Sequence, residues 1–252
     1  MERNVHLIPL GWEVDRAILP LEMVRPNKVY VLCDPESHPW QLHYFNQVVQ
    51  RLRSLNIEYD HVRVDSVSDL KGLVKQLVRL TKQEIASGNR VFINISAAGK
   101  ISAVAATLVT MAHMGTNGKA YYVRPEEYVV ADEARMTCGL TKGMKGEPLE
   151  IPIFPIRLPS REGQLILTAL SKEGGSMKYP GLFRALANER IEGYIEVTSH
   201  TSRKVRGNLT VRLTKTILKP LLEAGLVILK KEGRTRIVVL TDAGEYMACL
   251  LG

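Results

Sequence analysis

RVFINISAAGK, residues 90–100, is the segment that decides the fold of the first half of the chain. Its first seven residues are mostly aliphatic or aromatic, a composition typical of a strand that is buried on both faces of a sheet. Its last four are three small residues and a lysine, and a helical pattern continues from them to about His113. A buried strand that turns directly into a helix is the building block of a parallel α/β sheet.

The same alternation of strand and helix runs along the chain on both sides of this segment. Apolar periodicity predicts strands at residues 5–10, 28–33, 59–64, 90–96 and 119–123, and helices at residues 13–24, 40–55, 68–86 and up to about 113. Ser68 is the expected N-cap of the third helix. Four such units in series predict an α/β fold with a Rossmann-like, mostly parallel sheet and helices on both faces.

The length of 252 residues favours two domains, because single domains usually have about 100 to 150 residues. Glycines at 139, 143 and 146 and prolines at 148, 152, 155 and 159 mark a boundary. Apolar residues lie between these prolines, which predicts an extended, partly buried connector that includes an edge strand of the first domain. We expect a first domain at residues 1–145, a connector at residues 146–159 and a second domain at residues 160–252.

Composition excludes several classes of protein. With 45% hydrophobic and 24% charged residues, the chain is typical of a globular protein rather than a disordered or fibrous one. It has no apolar run near the roughly 18 residues of a membrane helix and no signal-peptide pattern at its start, which predicts a cytoplasmic protein without a membrane partner. The widely spaced Cys33, Cys138 and Cys249 predict buried thiols rather than a disulfide framework or a zinc site.

The net charge of +8 is carried almost entirely by the last two-fifths of the chain. Residues 1–150 contain 18 basic and 17 acidic residues, whereas residues 151–252 contain 16 and 9. No acidic residue lies between Glu196 and Glu223, a window that contains six arginines and lysines. Charge alone leaves two interpretations open, a surface that binds a polyanion or a solvated basic face.

The second domain is predicted to contain three helices, two strands and a closing helix. Ser160 is the expected N-cap of the first of these helices, and Asn208 of the third. The two strands, residues 226–229 and 237–240, are joined by a tip in which basic residues flank Gly233. The closing helix is expected to begin near Thr241.

The segment from Leu218 to Tyr246 resembles the winged helix-turn-helix regulators, and the resemblance covers residues 160–252. It implies that the third helix enters the major groove of double-stranded DNA, while the hairpin, or wing, contacts the backbone or the minor groove. The DNA-binding residues implied by position are Arg203, Lys204, Arg206, Asn208, Thr210, Arg212, Lys215, Thr216, Lys230, Lys231, Arg234 and Arg236. Among them, Arg212 has the chemistry to bind a guanine edge through two hydrogen bonds. The alternative is a winged helix used for dimerisation or protein binding.

The turn at residues 96–100 has the chemistry of an anion site. A strand that turns directly into a helix presents unpaired backbone N–H groups and the positive end of the helix dipole, and phosphate is the common occupant. In a doubly wound sheet this turn faces the loop after the first strand. The predicted ligand-binding residues are therefore Gly11, Trp12, Glu13, Asp15 and Arg16 on one side and Ser96, Ala97, Ala98, Gly99 and Lys100 on the other. A helix start without a ligand is the alternative.

The strand at residues 92–96 and the Ala-Ala-Gly-Lys turn after it are similar to those of the CARF domain family, the CRISPR-associated Rossmann fold. The opening segment, residues 9–16, also resembles archaeal CRISPR-associated transcriptional regulators, which join a CARF-like domain to a winged helix. The resemblance implies a homodimer that binds a nucleotide second messenger, a cyclic oligoadenylate, across its two-fold axis. Ala97 and Ala98 stand near positions where the family commonly has glycine.

Other kinds of site lack their motifs. Asn94 stands where a P-loop needs its first glycine, and no G-x-G-x-x-G follows the first strand, so neither an ATPase nor a nicotinamide cofactor is expected. His38 and His43 have no acidic or cysteine cluster beside them to complete a metal site. One catalytic alternative stays open, because some CARF-like domains cleave their own cyclic ligand; Ser96 and Lys100 would then stabilise the transition state.

The sequence as a whole predicts a homodimeric, ligand-responsive transcriptional regulator that is not an enzyme and holds no cofactor. Two alternatives accompany this prediction. The first is a cyclic oligoadenylate phosphodiesterase, or ring nuclease, whose winged helix serves dimerisation. The second is a DNA-binding regulator whose Rossmann-like half is only a dimerisation scaffold.

Overall fold

The structure is a computed structural model that describes residues 2–129, 139–194, 203–233 and 235–252, with the backbone alone at residues 203–206 and 235. The chain divides into two compact units, Met1–Ile156 and Arg157–Gly252. Each unit has its own hydrophobic core, and each is described separately.

The first unit is built on a six-stranded sheet with the order β3-β2-β1-β4-β5-β8. The five long strands are parallel, and the two-residue edge strand β8 is antiparallel to β5. This order confirms the mostly parallel α/β sheet and the neighbouring positions of strands one and four. The elements are β1 (Asn4–Pro9), α1 (Asp15–Val24), β2 (Lys28–Cys33), α2 (Pro39–Ser54), β3 (Glu58–Arg63), α3 (Leu70–Ala86), β4 (Arg90–Asn94), α4 (Lys100–His113), β5 (Gly118–Tyr122), β6 (Glu127–Tyr128), β7 (Thr141–Lys142) and β8 (Leu149–Glu150).

Helices cover this sheet with large apolar side chains. Helices α1 and α2 bury residues such as Ile18, Tyr44 and Leu52 against Ile8 and Val31 of the sheet. Each fully buried aliphatic side chain of this kind contributes about 1.5 to 3 kcal/mol to folding. Helices α3 and α4 pack against each other and against β4 and β5. They lie on the opposite face, because the chain returns from the edge strand β3 to the centre of the sheet at β4 and then adds strands in the other direction.

Two local details of the first unit depend on side-chain contacts. The N-cap of α3 is Asp69 rather than the predicted Ser68, because the Asp69 carboxylate accepts a hydrogen bond from the Gly72 N–H at 3.1 Å. Burial raises the pKa of the Cys33 thiol to about 12, so this cysteine stays protonated at neutral pH. Cys249 is also buried, and Cys138 lies outside the described residues.

The second unit combines helices with a three-stranded antiparallel sheet of order β10-β11-β9. The predicted helix starts are confirmed at Ser160 and Thr241, whose hydroxyls accept hydrogen bonds from Gly163 N–H and Gly244 N–H. The strand β9 has only three residues, too few to produce a periodic signal in the sequence. The elements are α5 (Arg161–Lys172), β9 (Ser176–Lys178), α6 (Tyr179–Asn188), α7 (Arg203–Arg212), a π-helical segment (Leu213–Leu218), α8 (Lys219–Glu223), β10 (Val227–Glu232), β11 (Thr235–Leu240) and α9 (Asp242–Leu251).

The third helix of this unit, which consists of α7, the π-helical segment and α8, differs from its prediction in two ways. It begins at Arg203, so Asn208 lies inside the helix and is not its N-cap. The prediction was wrong because residues 203–208 contain a single apolar side chain and therefore no helical periodicity. The helix also changes register at the π-helical segment, where the Lys219 N–H donates to the Thr214 carbonyl five residues earlier.

Candidate functional site

The two loops predicted to face each other lie together at the carboxyl ends of β1 and β4. The Gly11 N–H donates to the Ala97 carbonyl at 2.7 Å, which joins the loops directly through their backbones. A Cβ atom at Gly11 would lie 3.0 Å from the Cα of Ala98, so glycine allows this close approach. The two loops thus meet at the switch point of the sheet, the place where open α/β sheets commonly have a ligand-binding crevice.

The exposed part of this crevice is the start of α4. Gly99 is the N-cap, no side chain caps the helix, and Lys100 is its first residue. Both residues are exposed, and a Cβ atom at Gly99 would have no neighbour within 4 Å. The first N–H groups of α4 and the Lys100 ammonium group are therefore accessible to an anion.

The charged residues on the other side of the crevice have contacts within the unit. Arg16 is buried: its Nε donates to the Val123 carbonyl at 3.0 Å, and its guanidinium group lies 4.9 Å from the ring centre of Tyr122. Its Nη1 is 3.4 Å from Glu13 Oε1. The side chains of Arg16 and Glu13 therefore have partners within the first unit, and their predicted contact with a ligand stays a prediction.

Glu13 and Asp15 attach the segment at residues 139–143 to the same loop. The Glu13 carboxylate accepts a hydrogen bond from the Thr141 hydroxyl, and Asp15 accepts one from the Gly143 N–H at 2.9 Å. Burial raises the pKa of Glu13, although the Thr141 hydrogen bond and Arg16 oppose this effect. Both acidic residues of the predicted anion site therefore accept hydrogen bonds from within the first unit.

Ser96 also has an internal role. Its hydroxyl is buried and accepts a hydrogen bond from the Val123 N–H at 2.6 Å, while its own N–H donates to Asn94 Oδ1 at 2.7 Å. The Asn94 amide donates to the Arg16 carbonyl at 2.8 Å, so Asn94 links the end of β4 to the first turn of α1. In the sequence Asn94 is noticeable only as a departure from the P-loop motif, and nothing local indicates this linking role.

An aromatic group borders the crevice. The half-buried Trp12 lies with its ring centre 5.7 Å from that of His38 and 6.2 Å from that of Tyr44. His38 is the N-cap of α2, and its ring nitrogen accepts a hydrogen bond from the Trp40 N–H. The partly exposed members of the predicted set are Trp12, Asp15 and Ala98, and the exposed members are Gly99 and Lys100. Among the described residues, no group of three or more His, Cys, Asp or Glu side chains is placed to hold a metal ion.

In the second unit, the third helix buries one apolar face and leaves the opposite face open. Leu209, Leu213, Ile217 and Leu221 are buried at four-residue spacing. In an α-helix each four-residue step overshoots a full turn by about 40°, so this spacing would not stay on one face. The wider π turn at residues 213–218 removes part of this drift, which keeps all four side chains in the core.

The predicted DNA-binding residues of this helix have different surroundings. Asn208, Lys215 and Thr216 are exposed, and Thr210 is half-buried. Arg212 is exposed, but its guanidinium group lies 5.6 Å from the ring centre of Tyr194 and donates to the Glu192 carbonyl at 3.3 Å. Its side chain therefore holds the segment before the helix, and the predicted guanine contact would require these interactions to break. The side chains of Arg203, Lys204 and Arg206 lie outside the described residues.

The wing is the hairpin of β10 and β11, in which Lys231 pairs with Arg236 and Lys230 with Ile237. Lys230, Lys231 and Arg236 are exposed, and Arg234 lies outside the described residues. None of the three exposed cations, nor Lys215 of the third helix, forms an ion pair with another described residue. Their charges are consequently available to a partner.

Two family models match the chain, one in each unit. The model described as HFX_2341_N-like, N-terminal, matches residues 4–128, and that described as the DUF6293 C-terminal winged helix domain matches residues 162–252. The second unit is a winged helix domain. The predicted combination of a mostly parallel α/β unit with a winged helix domain is confirmed. Within the described part of the chain, no helix is long and apolar enough to cross a membrane.

Two archaeal proteins are similar to this chain over most of its length, and the chain spans just over half the length of one of them. An uncharacterized protein of Archaeoglobus fulgidus is 23% identical over 227 residues, which cover 90% of this chain and 87% of that protein. An uncharacterized protein of Methanocaldococcus jannaschii is 26% identical over 192 residues, which cover 68% of this chain and 57% of that protein. The solved structure of Enterococcus italicus Csm6 bound to cyclic hexa-2'-fluoro-hexa-dAMP is 12% identical, with a TM-score of 0.45, over 88% of this chain and 58% of that one.

Proposed function

We propose that this protein is a transcriptional regulator whose first unit senses a phosphate-containing nucleotide and whose winged helix domain binds double-stranded DNA. The observation that carries the proposal is that one chain has two electropositive surfaces whose cations form no ion pair with the described residues. One is the uncapped start of α4 with Lys100, and the other is the set of unpaired cations on the winged helix domain.

DNA binding is supported by the position and state of these cations. Phosphate contacts need accessible basic side chains, and Lys215, Lys230, Lys231 and Arg236 are exposed without acidic partners among the described residues. They lie on the third helix and on the wing, which are the two elements that winged helices place against DNA. A solvated basic face would not require the charges to concentrate on these two elements.

Nucleotide sensing is supported by the geometry of the crevice. The open N-terminus of α4 suits a phosphate, and the half-buried Trp12 at the border offers an aromatic surface for a base. Among nucleotides, the resemblance of this turn to CARF domains favours a cyclic oligoadenylate, and the ligand we propose is of that class. The charged residues Glu13 and Arg16 act as positioning residues for the loop.

A homodimer is supported by the outer face of α4. Ile101 is 42% exposed and Val104 is 48% exposed, one helical turn apart, directly after Lys100. Pairing of two copies through this face would bury both side chains and bring two Gly99–Lys100 turns near the two-fold axis. A cyclic ligand with several equivalent phosphates would then be held by both copies.

Coupling between the units is proposed to run through the connector. Within the first unit, the Ile151 N–H donates to the Ala120 carbonyl and the Ile156 N–H to the Met111 carbonyl of α4. Within the second unit, residues 157–160 line a cavity of about 460 Å³ together with Thr216 and Ile217 of the π-helical segment. The connector therefore bonds to α4 within the first unit, and residues 157–160 line the same cavity as the π-helical segment within the second unit. A ligand shifts DNA affinity only if it binds the two arrangements with different affinity.

The proposal is tested by thermal-shift titrations with cyclic tetra-adenylate and cyclic hexa-adenylate, with a linear oligoadenylate as the control ligand. A ligand at 100 times its Kd stabilises the folded state by about 2.7 kcal/mol, which is a measurable shift in Tm. We expect Lys100→Ala to abolish the shift, whereas Lys75→Ala, at an exposed lysine of α3, should leave it unchanged.

The same samples distinguish the alternatives. No shift with any oligoadenylate would remove the sensing proposal and favour a dimerisation scaffold. Chromatography of the ligand after incubation tests the ring nuclease, because conversion of the cyclic to the linear form would show an enzyme. The buried, hydrogen-bonded Ser96 hydroxyl gives no support to a catalytic role for that residue. Electrophoretic mobility shifts on random-sequence duplex DNA test the winged helix domain independently of the ligand.

A further inference from the structure

The outward face of the third helix carries two residues that no contact with the described part of the chain explains. Gly207 lies in the middle of α7, is exposed, and has an ordinary helical backbone without a positive φ. A Cβ atom there would have no neighbour within 4 Å. Glycine is among the poorest helix formers, so a packing or turn requirement would normally explain it, and the residues that the structure describes supply none.

Val211 is the second such residue. It is 53% exposed, although it is a β-branched apolar residue in a helix that is otherwise basic and polar on its outer face. Two residues correspond to about 200° of helical rotation, so Gly207 and Val211 both lie opposite the buried Leu209. Lys215, one turn further, lies opposite Leu213 and Ile217.

Gly207, Val211 and Lys215 therefore form one outward stripe, with Asn208 beside it. Arg212 does not belong to this stripe, because its side chain is turned towards Tyr194 and Glu192. The π-helical segment helps to align Lys215 with Val211, since the two are separated by four residues across its start. This stripe consists of an exposed glycine, an exposed valine and a lysine without an ion-pair partner among the described residues. Such a surface can approach a polyanion closely and has an apolar side chain at its centre.

We propose that Val211 reads the methyl group of a thymine in the major groove, and that Gly207 is present so that the helix can approach the base edges. This inference rests on the proposed DNA-binding function. The thymine methyl is the apolar feature of the major groove, and small apolar side chains are its usual partners. Asn208, one turn before Val211, has the amide that pairs with adenine, so an A·T-containing step is the expected target.

The experiment begins with selection of the preferred duplex from a random pool by the purified full-length protein. Each thymine of that duplex is then replaced singly by uracil, which removes only the methyl group. We expect one substitution in each half-site to weaken wild-type binding about fourfold, the value of one buried methyl group. Val211→Ala should lose about the same factor on the thymine duplex and show no difference between thymine and uracil.

Two further variants control this cycle. Gly207→Ala should raise the unfolding midpoint, because alanine favours the helix and meets no clash, and should weaken DNA binding at least tenfold. Val24→Ala makes the same change at a valine of the first unit that is 52% exposed, and should leave DNA affinity unchanged.

The outcomes distinguish a failure of the proposed DNA binding from a failure of the roles assigned to Val211 and Gly207. If the wild-type protein enriches no duplex, the proposed DNA-binding function is wrong and this inference with it. If it binds DNA but every uracil substitution is equally harmless, or if the uracil effect persists in Val211→Ala, the assignment of Val211 is overturned. If Gly207→Ala binds as tightly as the wild-type protein, close approach at Gly207 is overturned.

Discussion

A buried histidine makes the stability of the first unit depend on pH. His6 of β1 is 5% exposed, stacks on Phe92 with 5.0 Å between ring centres, and places Nδ1 3.0 Å from the Tyr121 hydroxyl. Burial lowers the pKa of His6 from 6.5 to about 3, so the ring is neutral in the folded protein at any ordinary pH. In the unfolded chain the same ring takes up a proton below about pH 6.5.

The direction and size of the effect follow from linkage. Between pH 6.5 and pH 3 the unfolded state binds more protons at this residue than the folded state, so stability falls as the pH falls through that window. Each pH unit well inside the window costs about 1.4 kcal/mol. Lowering the pH from 7 to 5 should therefore remove about 2 kcal/mol of stability through His6 alone.

The assay compares denaturant unfolding at pH 7 and pH 5 for the wild-type protein and two variants. His6→Phe keeps an aromatic ring on Phe92 but has no proton to bind, so about 2 kcal/mol of the wild-type loss should disappear. Loss of the Tyr121 hydrogen bond lowers stability at both pH values and cancels in the difference. His43→Phe, at an exposed histidine of α2, should keep the full wild-type loss. Equal losses in the wild-type protein and His6→Phe would refute the reasoning.

Two further predictions concern single contacts. Lys230→Ala should weaken binding to all duplexes and reduce the slope of log affinity against log salt concentration by about 0.9, because one phosphate contact is lost. Arg212→Ala should mainly lower Tm, because Arg212 packs on Tyr194. A gel-shift salt series and thermal unfolding check both variants, and a change in sequence specificity without a change in Tm would contradict the prediction for Arg212→Ala. Gly139→Ala should destabilise the first unit by about 2 kcal/mol more than Gly146→Ala. Of these two glycines, only Gly139 lies where an added Cβ atom would overlap a backbone carbonyl. Equal unfolding midpoints of the two variants would argue against that clash.

Much of the fold followed from local patterns in the sequence. The strands β1, β2, β4 and β5 and the helices between them were predictable because buried parallel strands are continuous apolar runs and their helices repeat with a period near 3.6. The neighbouring positions of β1 and β4 followed from the alternation of strand and helix. Elements without periodicity were missed, as shown by the three-residue β9 and by the start of α7 in a basic stretch.

The candidate site was predictable only in part, for a similar reason. A small-residue turn with a lysine is visible in the sequence, and so is a basic region without acidic residues. The destination of each polar side chain is not, because hydrogen-bond partners come from distant segments, such as Thr141 for Glu13 and Val123 for Arg16 and Ser96. These long-range contacts give Glu13, Arg16 and Ser96 partners within the first unit that the sequence alone does not show.

The order of elements, the two units and the location of the charge can be read from the sequence alone, since these depend on residues near one another in the chain. Which side chains are free depends on tertiary packing. Arg212 and Lys215 look equivalent in the sequence, yet Arg212 packs on Tyr194 and Lys215 stays exposed. Likewise the exposure of Gly207 and Val211 is visible only in the folded structure, where no contact with the described residues explains the choice of these two residues. Burial and partnership are properties of the folded chain, because they depend on segments that only folding brings together.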